Sequence, residues 1–493
     1  MNKAFITAVT FGLSLSLPLL LKAQTMNASD LQDAFARGES AATIASEALK
    51  NIETSNDLYN AVITAGGEGV NQETKRLDGL SAPERAVLRL GGVPILVKDN
   101  IEVRDWPTTV GSLTLANNCT DRDAELISQL REAGAVILGK TNLSEWANFR
   151  SEKSISGWSS VGGQTRNAYD PARSPCGSSS GSAVAVALGY VPVAIGSETD
   201  GSIVCPASVN GVVGFKPSHG LVSGNGVVPL AASQDTAGPI AISVLDASVT
   251  LGVMMSSAKE YMDLREGLLN LEIPGSLEGL RLGVLANTQG FDQRRDDLLE
   301  RSLAILADLG AVMIRDLRAK TYAGFGGDEY QILLYEFASQ LDGYLAGLPG
   351  GLNTLTLKQI IELNKQSDVT LSLFDQSIFD KAVALEMSVD EYHQKLNAIK
   401  RAAREDGLDK LLKEHRLDAI VGITVGPSWM IDDINGDAFH GPSISSLPAV
   451  GGHPHITVPM GEISGMPVGL SFIGARLSDA ELAAIAAAFE QAR

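Results

Sequence analysis

Short apolar runs alternate with segments of helical periodicity along most of this chain. Continuous apolar runs of about four to eight residues predict buried strands. Such runs lie at Gly91–Asp99, Ala135–Leu138, Val191–Ile195, Leu417–Thr424, Ile456–Gly461 and Pro467–Gly474. Strands that alternate with helices are typical of an α/β fold built around a largely buried sheet, and this is the fold class that we predict.

Polar residues beside the periodic segments predict where two helices begin. Apolar residues recur at helical spacing from Ser29 to about Thr64, and Ser29 is the expected N-cap. Asp121 or Asp123 is expected to cap a second helix that ends at Gly134.

One region departs from the alternation. Residues Tyr322–Glu414 are more charged than their surroundings, poor in strand signals and helical in period, as in QILLYEFASQ and KQIIELNKQS. We interpret this region as a helical insertion or cap. A last amphipathic helix is expected from about Asp479. Since no internal repeat or long linker divides the chain, we predict a single domain over residues 24–493.

The first residues, MNKAFITAVTFGLSLSLPLLLKAQ, have the order of a secretory signal peptide. Lys3 supplies a basic start, an uncharged apolar stretch follows, and Ala23 precedes the expected cleavage site. An uncleaved anchor is the alternative. No later segment approaches eighteen apolar residues. We therefore expect residues 1–23 to be removed and the protein to be secreted or periplasmic, with no stable membrane association once processed.

The net charge limits the class of partner, and the cysteine content limits the class of scaffold. The 493 residues carry a net charge of −19 and no basic run longer than two residues, which argues against a nucleic-acid partner. Three cysteines are too few for a disulfide scaffold. Cys176 and Cys205 flank two Gly/Ser-rich segments, and the sequence leaves a disulfide between them open while favouring two buried thiols.

Those Gly/Ser-rich segments lie in SPCGSSSGSAVAVALGYVPVAIGSETDGSIVCP, which runs from Ser174 to Pro206. Gly177–Ser182 and Asp200–Ser202 are separated by an apolar helix and an apolar strand. Gly and Ser cannot build a core, but they can turn the backbone, present amide N–H groups and supply hydroxyl nucleophiles. The pattern favours a catalytic or anion-binding role over a pair of structural turns.

Two other motifs give only weak evidence for a phosphate or zinc site. Gly134–Thr141 fits the phosphate-binding pattern G-x-x-x-x-G-K-[ST], but its four middle residues are the predicted strand and a helix precedes it, so it lacks the required loop. His453 and His455 have no companions at zinc-ligand spacing, which favours an ordinary loop. No G-x-S-x-G turn with triad partners is present either. We predict no metal site.

Lys98 is the candidate base. It follows the apolar run VPILV, and burial of a lysine lowers its pKa and favours the neutral amine. A neutral amine can accept a proton through a bridging serine. The alternative is a solvated lysine paired with Asp99.

Together these motifs resemble the amidase signature family, and most of all its bacterial peptide amidases. The resemblance rests on GVPILVKDN, AGAVILGKTNLSEWANFR, GSSSGSAVAVA, SETDGSIVCPA and LLYEF, and it extends over nearly the whole chain after the signal peptide. It implies a central mixed β-sheet covered by helices on both sides. It also implies a Ser–cis-Ser–Lys triad that needs no metal or organic cofactor.

The resemblance assigns the roles residue by residue. Lys98 corresponds to the base, Ser178 to the bridging serine that follows a cis peptide bond, and Ser202 to the acylated nucleophile. The amides of Thr199, Asp200 and Gly201 correspond to the oxyanion hole. The commoner family pattern at this turn has Asp where this chain has Glu198 and Gly where it has Asp200, which leaves the individual oxyanion donors open.

The function implied is an exported amidase that releases ammonia through an acyl-serine, with a small amide or the C-terminal amide of a peptide as substrate. Aryl and alkyl amides are the alternative substrates. Two further alternatives are the amidase component of a tRNA-dependent amidotransferase, which the acidic charge and the export signal disfavour, and an inactive binding protein on the same scaffold.

Overall fold

Eleven strands form one mixed sheet in the computed structural model, which describes residues 26–322 and 324–493. The predicted signal peptide lies outside the described residues. The strands are β1 (Val62–Ala65), β2 (Pro94–Lys98), β3 (Val136–Thr141), β4 (Val193–Glu198), β5 (Val213–Lys216), β6 (Thr236–Ala241), β7 (Arg281–Leu285), β8 (Val312–Leu317), β9 (Ala419–Ile423), β10 (His455–Ile463) and β11 (Met466–Ile473).

Their order across the sheet is β1-β3-β2-β4-β6-β5-β10-β11-β9-β7-β8. The trios β3-β2-β4 and β9-β7-β8 are parallel, and all other neighbours are antiparallel. The parallel pairing of β2 with β4 matters most for function, because it brings the carboxyl ends of these two strands to the same edge.

The α-helices of the described residues are Ala28–Ala36, Ala41–Tyr59, Glu68–Asp78, Ala82–Ala86, Glu125–Glu132, Ser180–Ala187, Val204–Val209, Val244–Met254, Met262–Leu269, Gln293–Asp308, Gly326–Ala346, Leu357–Asn364, Ser377–Ala384, Val389–Ala403, Asp409–His415, Ser446–Gly451 and Asp479–Ala492. Among them, no helix is long and apolar enough to cross a bilayer.

The helices cover both faces of the sheet, as the period-two alternation of β2 shows. Ile95 and Val97 belong to a core that includes Leu130 of one helix and Leu251 of another, whereas Leu96 faces the opposite core. The predicted α/β class, with a mixed sheet covered on both sides, is confirmed.

Both predictions of the residue that caps a helix are wrong. The first helix is capped by Asn27, whose side chain accepts the Asp30 N–H at 2.7 Å, and not by Ser29. The helix Glu125–Glu132 has Ala124 at its N-cap position. Asp121 and Asp123 both precede this cap position. The Asp123 carboxylate accepts the Arg104 N–H instead of an N–H of the helix.

The helical periodicity predicted from Ser29 to about Thr64 also does not show where the helix ends. Asn60 adopts a left-handed conformation, with φ at 48°, and ends the helix Ala41–Tyr59. The chain then forms the edge strand β1, which the helical spacing did not predict.

Within the described part of 322–414 the regular elements are helical. The longest helix, Gly326–Ala346, packs against the body of the protein through Phe337, whose ring meets Trp146 and Phe149 edge-on. The segment 146–149 therefore lies between this helix and the Gly/Ser-rich turns, and it forms part of the site described next.

Candidate active site

Lys98 is the last residue of β2 and is fully buried. Its Nζ donates to Ser178 Oγ at 2.8 Å, to Ser197 Oγ at 2.8 Å and to the Ser197 carbonyl at 3.1 Å. Burial lowers the pKa of Lys98 to about 7, against the opposing charges of Asp235 and Glu198. Close to neutral pH, a substantial fraction of Lys98 is thus an uncharged amine.

Asp99 has a different partner from the one considered above. Its carboxylate pairs with Lys140 at 2.9 Å, and both side chains are buried. The alternative of a solvated Lys98 paired with Asp99 is therefore wrong. Lys140 is also the lysine of the apparent phosphate-binding motif, and this ion pair explains its presence in β3.

Ser178 lies two residues before the helix Ser180–Ala187, and the Gly177–Ser178 peptide bond is cis. Ser178 is fully buried, and its carbonyl accepts the Ser144 N–H at 3.1 Å. This backbone contact holds the Ser178 hydroxyl against Lys98.

Ser202 lies in the turn that follows β4, and its carbonyl accepts the Ser179 N–H at 3.1 Å. The two serine-bearing segments are thus in direct backbone contact. Within the described part of the chain, the Ser202 hydroxyl makes no hydrogen bond, and the residue lines a cavity of about 420 Å³. The hydroxyl is free to turn toward Ser178 or toward a bound molecule.

Cys176 and Cys205 form a disulfide, so the expectation of two buried thiols is wrong. Their Cα atoms are 6.1 Å apart, within the usual range for a disulfide. The two cysteines lie in the same two segments that the Ser179–Ser202 backbone contact joins. Their positions beside the two Gly/Ser-rich segments allowed this proximity, but the choice between a disulfide and two thiols depends on the tertiary structure.

The turn before Ser202 presents backbone donors to the same cavity. Gly201 has a φ of 77°, a conformation that glycine adopts without strain. No described residue accepts the N–H groups of Asp200, Gly201 or Ser202. These amides, with that of Thr199, lie where an oxyanion could be stabilised.

The side chains of Gln234, which is buried, and Asp235, which is half-buried, hold this turn in place. Thr199 donates its hydroxyl proton to Asp235 at 2.6 Å, and Gln234 donates to the Thr199 carbonyl at 3.2 Å. Burial raises the pKa of Asp235 to about 6. Its other oxygen accepts the N–H groups of Leu230 and Ala231, which fixes the carboxylate.

The two departures from the commoner family pattern both have partners. Glu198 accepts the N–H groups of Ile203 and Val204, at 2.7 and 3.1 Å, and so fixes the turn on the far side of Ser202. Asp200 accepts a hydrogen bond from the Ser446 hydroxyl at 2.6 Å. Burial raises the pKa of both carboxyls. Neither substitution removes a backbone donor.

Four residues close to Lys98 or Thr199 were not predicted as site residues from the sequence: Asn100, Ser197, Gln234 and Asp235. Asn100 and Ser197 lie just after β2 and at the end of β4, with Asn100 Nδ2 at 2.9 Å from Ser197 Oγ. Polar residues at the carboxyl ends of neighbouring parallel strands are the signal that could have found them. Using this signal requires knowing that β2 pairs with β4, and apolar runs alone do not predict that pairing.

Two cavities meet at this site. The 420 Å³ cavity reaches Ser202 and the turn before it, and its apolar walls include Phe149, Leu333, Val425 and Phe439. A second cavity, of about 350 Å³, reaches Ser178 and Ser197 from the other side, where Val227 and Val228 line it. Thr199 borders both.

The two histidines of the H-x-H motif have structural partners. His453 contacts Asp409 at 2.8 Å and His455 contacts Ser471 at 2.6 Å, and both rings are buried. Across residues 26–322 and 324–493, no group of three His, Cys, Asp or Glu side chains is placed to hold a metal ion.

Comparisons with known proteins show which family the chain belongs to. The family model described as Amidase matches residues 43–483. A probable amidase from Arabidopsis thaliana is 36% identical over 464 residues, which cover 90% of this chain and 85% of that protein. One component of the glutamyl-tRNA(Gln) amidotransferase from Symbiobacterium thermophilum is 32% identical over 484 residues, with 94% of this chain and 96% of that protein covered.

Among solved structures, the native peptide amidase from Stenotrophomonas maltophilia superposes with a TM-score of 0.87 at 40% identity, covering 95% of this chain and 97% of that one. A peptide amidase in complex with the competitive inhibitor chymostatin gives a TM-score of 0.88 at the same identity and coverage. The family match over most of the chain settles the assignment: this protein belongs to the amidase signature family and is an amide-hydrolysing enzyme.

Proposed function

We propose that this enzyme hydrolyses the C-terminal amides of peptides and releases ammonia through an acyl-Ser202 intermediate. The observation that carries the proposal is the 420 Å³ cavity, in which Ser202 and unpartnered amides of the preceding turn face the same space. The 40% identity to peptide amidases supports the choice of substrate. No nucleic acid or membrane is part of this function.

The proposed reaction begins with attack of Ser202 Oγ on the amide carbonyl carbon. Ser202 gives its proton to Ser178 Oγ, which passes its own proton to neutral Lys98. The N–H groups of the turn stabilise the oxyanion that forms, an effect worth about 3–4 kcal/mol for a single donor. The proton then returns through Ser178 to the leaving nitrogen as the C–N bond breaks. Water hydrolyses the acyl ester by the same relay.

The walls of the cavity support a peptide acyl group. Leu333, from the helix Gly326–Ala346, lies opposite the Ser202 turn together with Phe149 and Phe439. Asp200 is the single charged residue among those that line this cavity. Such walls would accept many uncharged side chains while backbone groups orient the chain.

The second cavity favours one alternative, the hydrolysis of N-aryl or N-alkyl amides. During collapse of the intermediate the leaving nitrogen takes its proton from Ser178, and the second cavity reaches Ser178 but not Ser202. At about 350 Å³, with Val227, Val228 and Ala237 in its walls, it is far larger than ammonia. An aniline or a short alkylamine would fit its size and polarity.

A single panel of substrates distinguishes the two. We expect an amidated peptide with internal Asn and Gln to exchange NH2 for OH at its C-terminus alone, as read by tandem mass spectrometry. The internal amides and peptide bonds should remain intact. Acetanilide and N-alkyl amides serve as comparison substrates, with amine release as the readout. Internal cleavage, or turnover of anilides without turnover of any amidated peptide, would overturn the peptide assignment.

Export is proposed on the order of charge and apolarity in residues 1–23. We expect the mature protein from its native host to begin at or near Gln24, in the secreted or periplasmic fraction. Intact-mass measurement of the purified protein gives the first residue directly. A cytosolic protein that retains Met1 would refute the proposal.

A further inference from the structure

Asn100 lies two residues after Lys98 and is buried, with 4% of its surface exposed. Its Nδ2 donates to Ser197 Oγ at 2.9 Å. Its Oδ1 is buried and meets no hydrogen-bond donor among the described residues, so nothing at that end holds the amide in this orientation. A 180° rotation of the amide would place Oδ1 against the Ser197 hydroxyl instead.

The protons around Lys98 can be counted. Three atoms surround Nζ: Ser178 Oγ, Ser197 Oγ and the Ser197 carbonyl oxygen. A neutral amine has two N–H donors and one lone pair. The carbonyl can only accept, so it takes one N–H. The second N–H and the lone pair are divided between the two hydroxyls, and only a lone pair that faces Ser178 can start the reaction.

The orientation of Asn100 decides this division. While Nδ2 faces Ser197, the Lys98 lone pair is the one acceptor that the described residues offer to the Ser197 hydroxyl proton. Ser197 then competes with Ser178 for the base. Once Oδ1 faces Ser197, it accepts that proton, Ser197 Oγ accepts an N–H of Lys98, and the lone pair is left for Ser178.

We propose that Asn100 is a positioning residue which accepts the Ser197 hydroxyl proton and thereby directs the lone pair of Lys98 toward Ser178. This rests on the proposed roles of Lys98 and Ser178. The same arrangement also serves the charged form of Lys98, whose three N–H groups then meet three acceptors.

The test uses the rate at which a fluorophosphonate phosphonylates Ser202, with a P–O bond formed and fluoride released, since this rate needs the relay but no particular amide substrate. Asn100→Ala should lower the labelling rate about 10–50-fold, because the Ser197 hydroxyl then donates its proton to the Lys98 lone pair. Adding Ser197→Ala to Asn100→Ala should restore several-fold of the loss by removing the competitor. A purely structural role predicts a double variant as slow as the single one or slower, and that result would overturn the proposal.

Asn100→Asp supplies a second measurement. The carboxylate always accepts the Ser197 proton, so the plateau rate should stay near that of the wild type. Its charge adds to those of Asp235 and Glu198, which already face Lys98. The rising limb of the pH–rate profile should therefore move about one unit upward. An unmoved limb would count against the proposal.

Asn118→Ala is the matched control. Asn118 is also a buried amide with an unpartnered Oδ1, but its Nδ2 bonds to the Thr108 carbonyl, away from Lys98. This variant should lose thermal stability and keep the wild-type pH–rate profile. If the wild-type protein labels at Ser202 yet turns over no amidated peptide, the substrate assignment fails and the Asn100 measurement still stands.

Discussion

Ser202→Ala is expected to lower amide hydrolysis by about 10⁴-fold or more while the fold stays intact. Ser202 supplies the one hydroxyl that faces both the free amides of the turn and the 420 Å³ cavity without a hydrogen-bond partner in the described chain. Removing it leaves the oxyanion donors but no atom to carry the acyl group. Ammonia release and a thermal melt of the same preparation measure the two effects separately.

Covalent labelling identifies the nucleophile independently of turnover. A fluorophosphonate probe should modify the peptide that contains Ser202 in the wild-type enzyme and leave the Ser202→Ala variant unmodified. Ser443→Ala is the control, because Ser443 lines the same cavity outside the triad and the oxyanion turn. Labelling of another residue in the Ser202→Ala variant at the wild-type rate would contradict the assignment, and no labelling of either protein would favour an inactive scaffold.

Lys98→Ala should cost about 10²–10⁴-fold, the usual contribution of a general base. In the wild-type enzyme, kcat/KM should rise as pH increases through about 7 and then level off. The sign follows from the chemistry: below the pKa of about 7 Lys98 is an ammonium that cannot accept a proton, and above it the amine is free. The variant should lose this rise along with the rate.

Lys140→Ala is the control for that experiment. Lys140 is equally buried, and burial lowers its pKa as well, but its nitrogen pairs with Asp99 and has no contact with either serine of the triad. We expect this variant to be less stable and to keep the wild-type pH dependence in its folded fraction. A wild-type optimum near pH 5, with activity lost above it, would exclude a neutral lysine as the base.

Much of the site could be predicted because its chemistry is local in sequence. Lys98 follows the apolar run VPILV, and the Gly/Ser-rich segments elsewhere in the chain favour a desolvated base there over a solvated lysine paired with Asp99. Ser178 and Ser202 lie in Gly/Ser-rich segments whose side chains are too small and polar to predict an apolar core from the sequence. The strands at 94–98 and 193–198 follow from their apolar runs, with ends a few residues from the predicted ones.

The rest depends on contacts between distant segments. Ser197 acts on Lys98 only because β2 and β4 are parallel neighbours, with Val97 opposite Ile195. The disulfide joins two segments that also meet where the Ser179 N–H donates to the Ser202 carbonyl. The edge strand β1 lies in a stretch with helical spacing, and the left-handed turn at Asn60 outweighs that local preference. The periodicity of the sequence predicts none of these pairings.

The disulfide also has a topological consequence. The bond between Cys176 and Cys205 closes a covalent ring that includes Ser178, the helix Ser180–Ala187, all of β4 and Ser202. A single break in the backbone inside this ring leaves both pieces attached to each other, with one serine still tethered to the other. Two backbone cuts, or one cut and reduction of the disulfide, are needed before the pieces that carry Ser178 and Ser202 can separate.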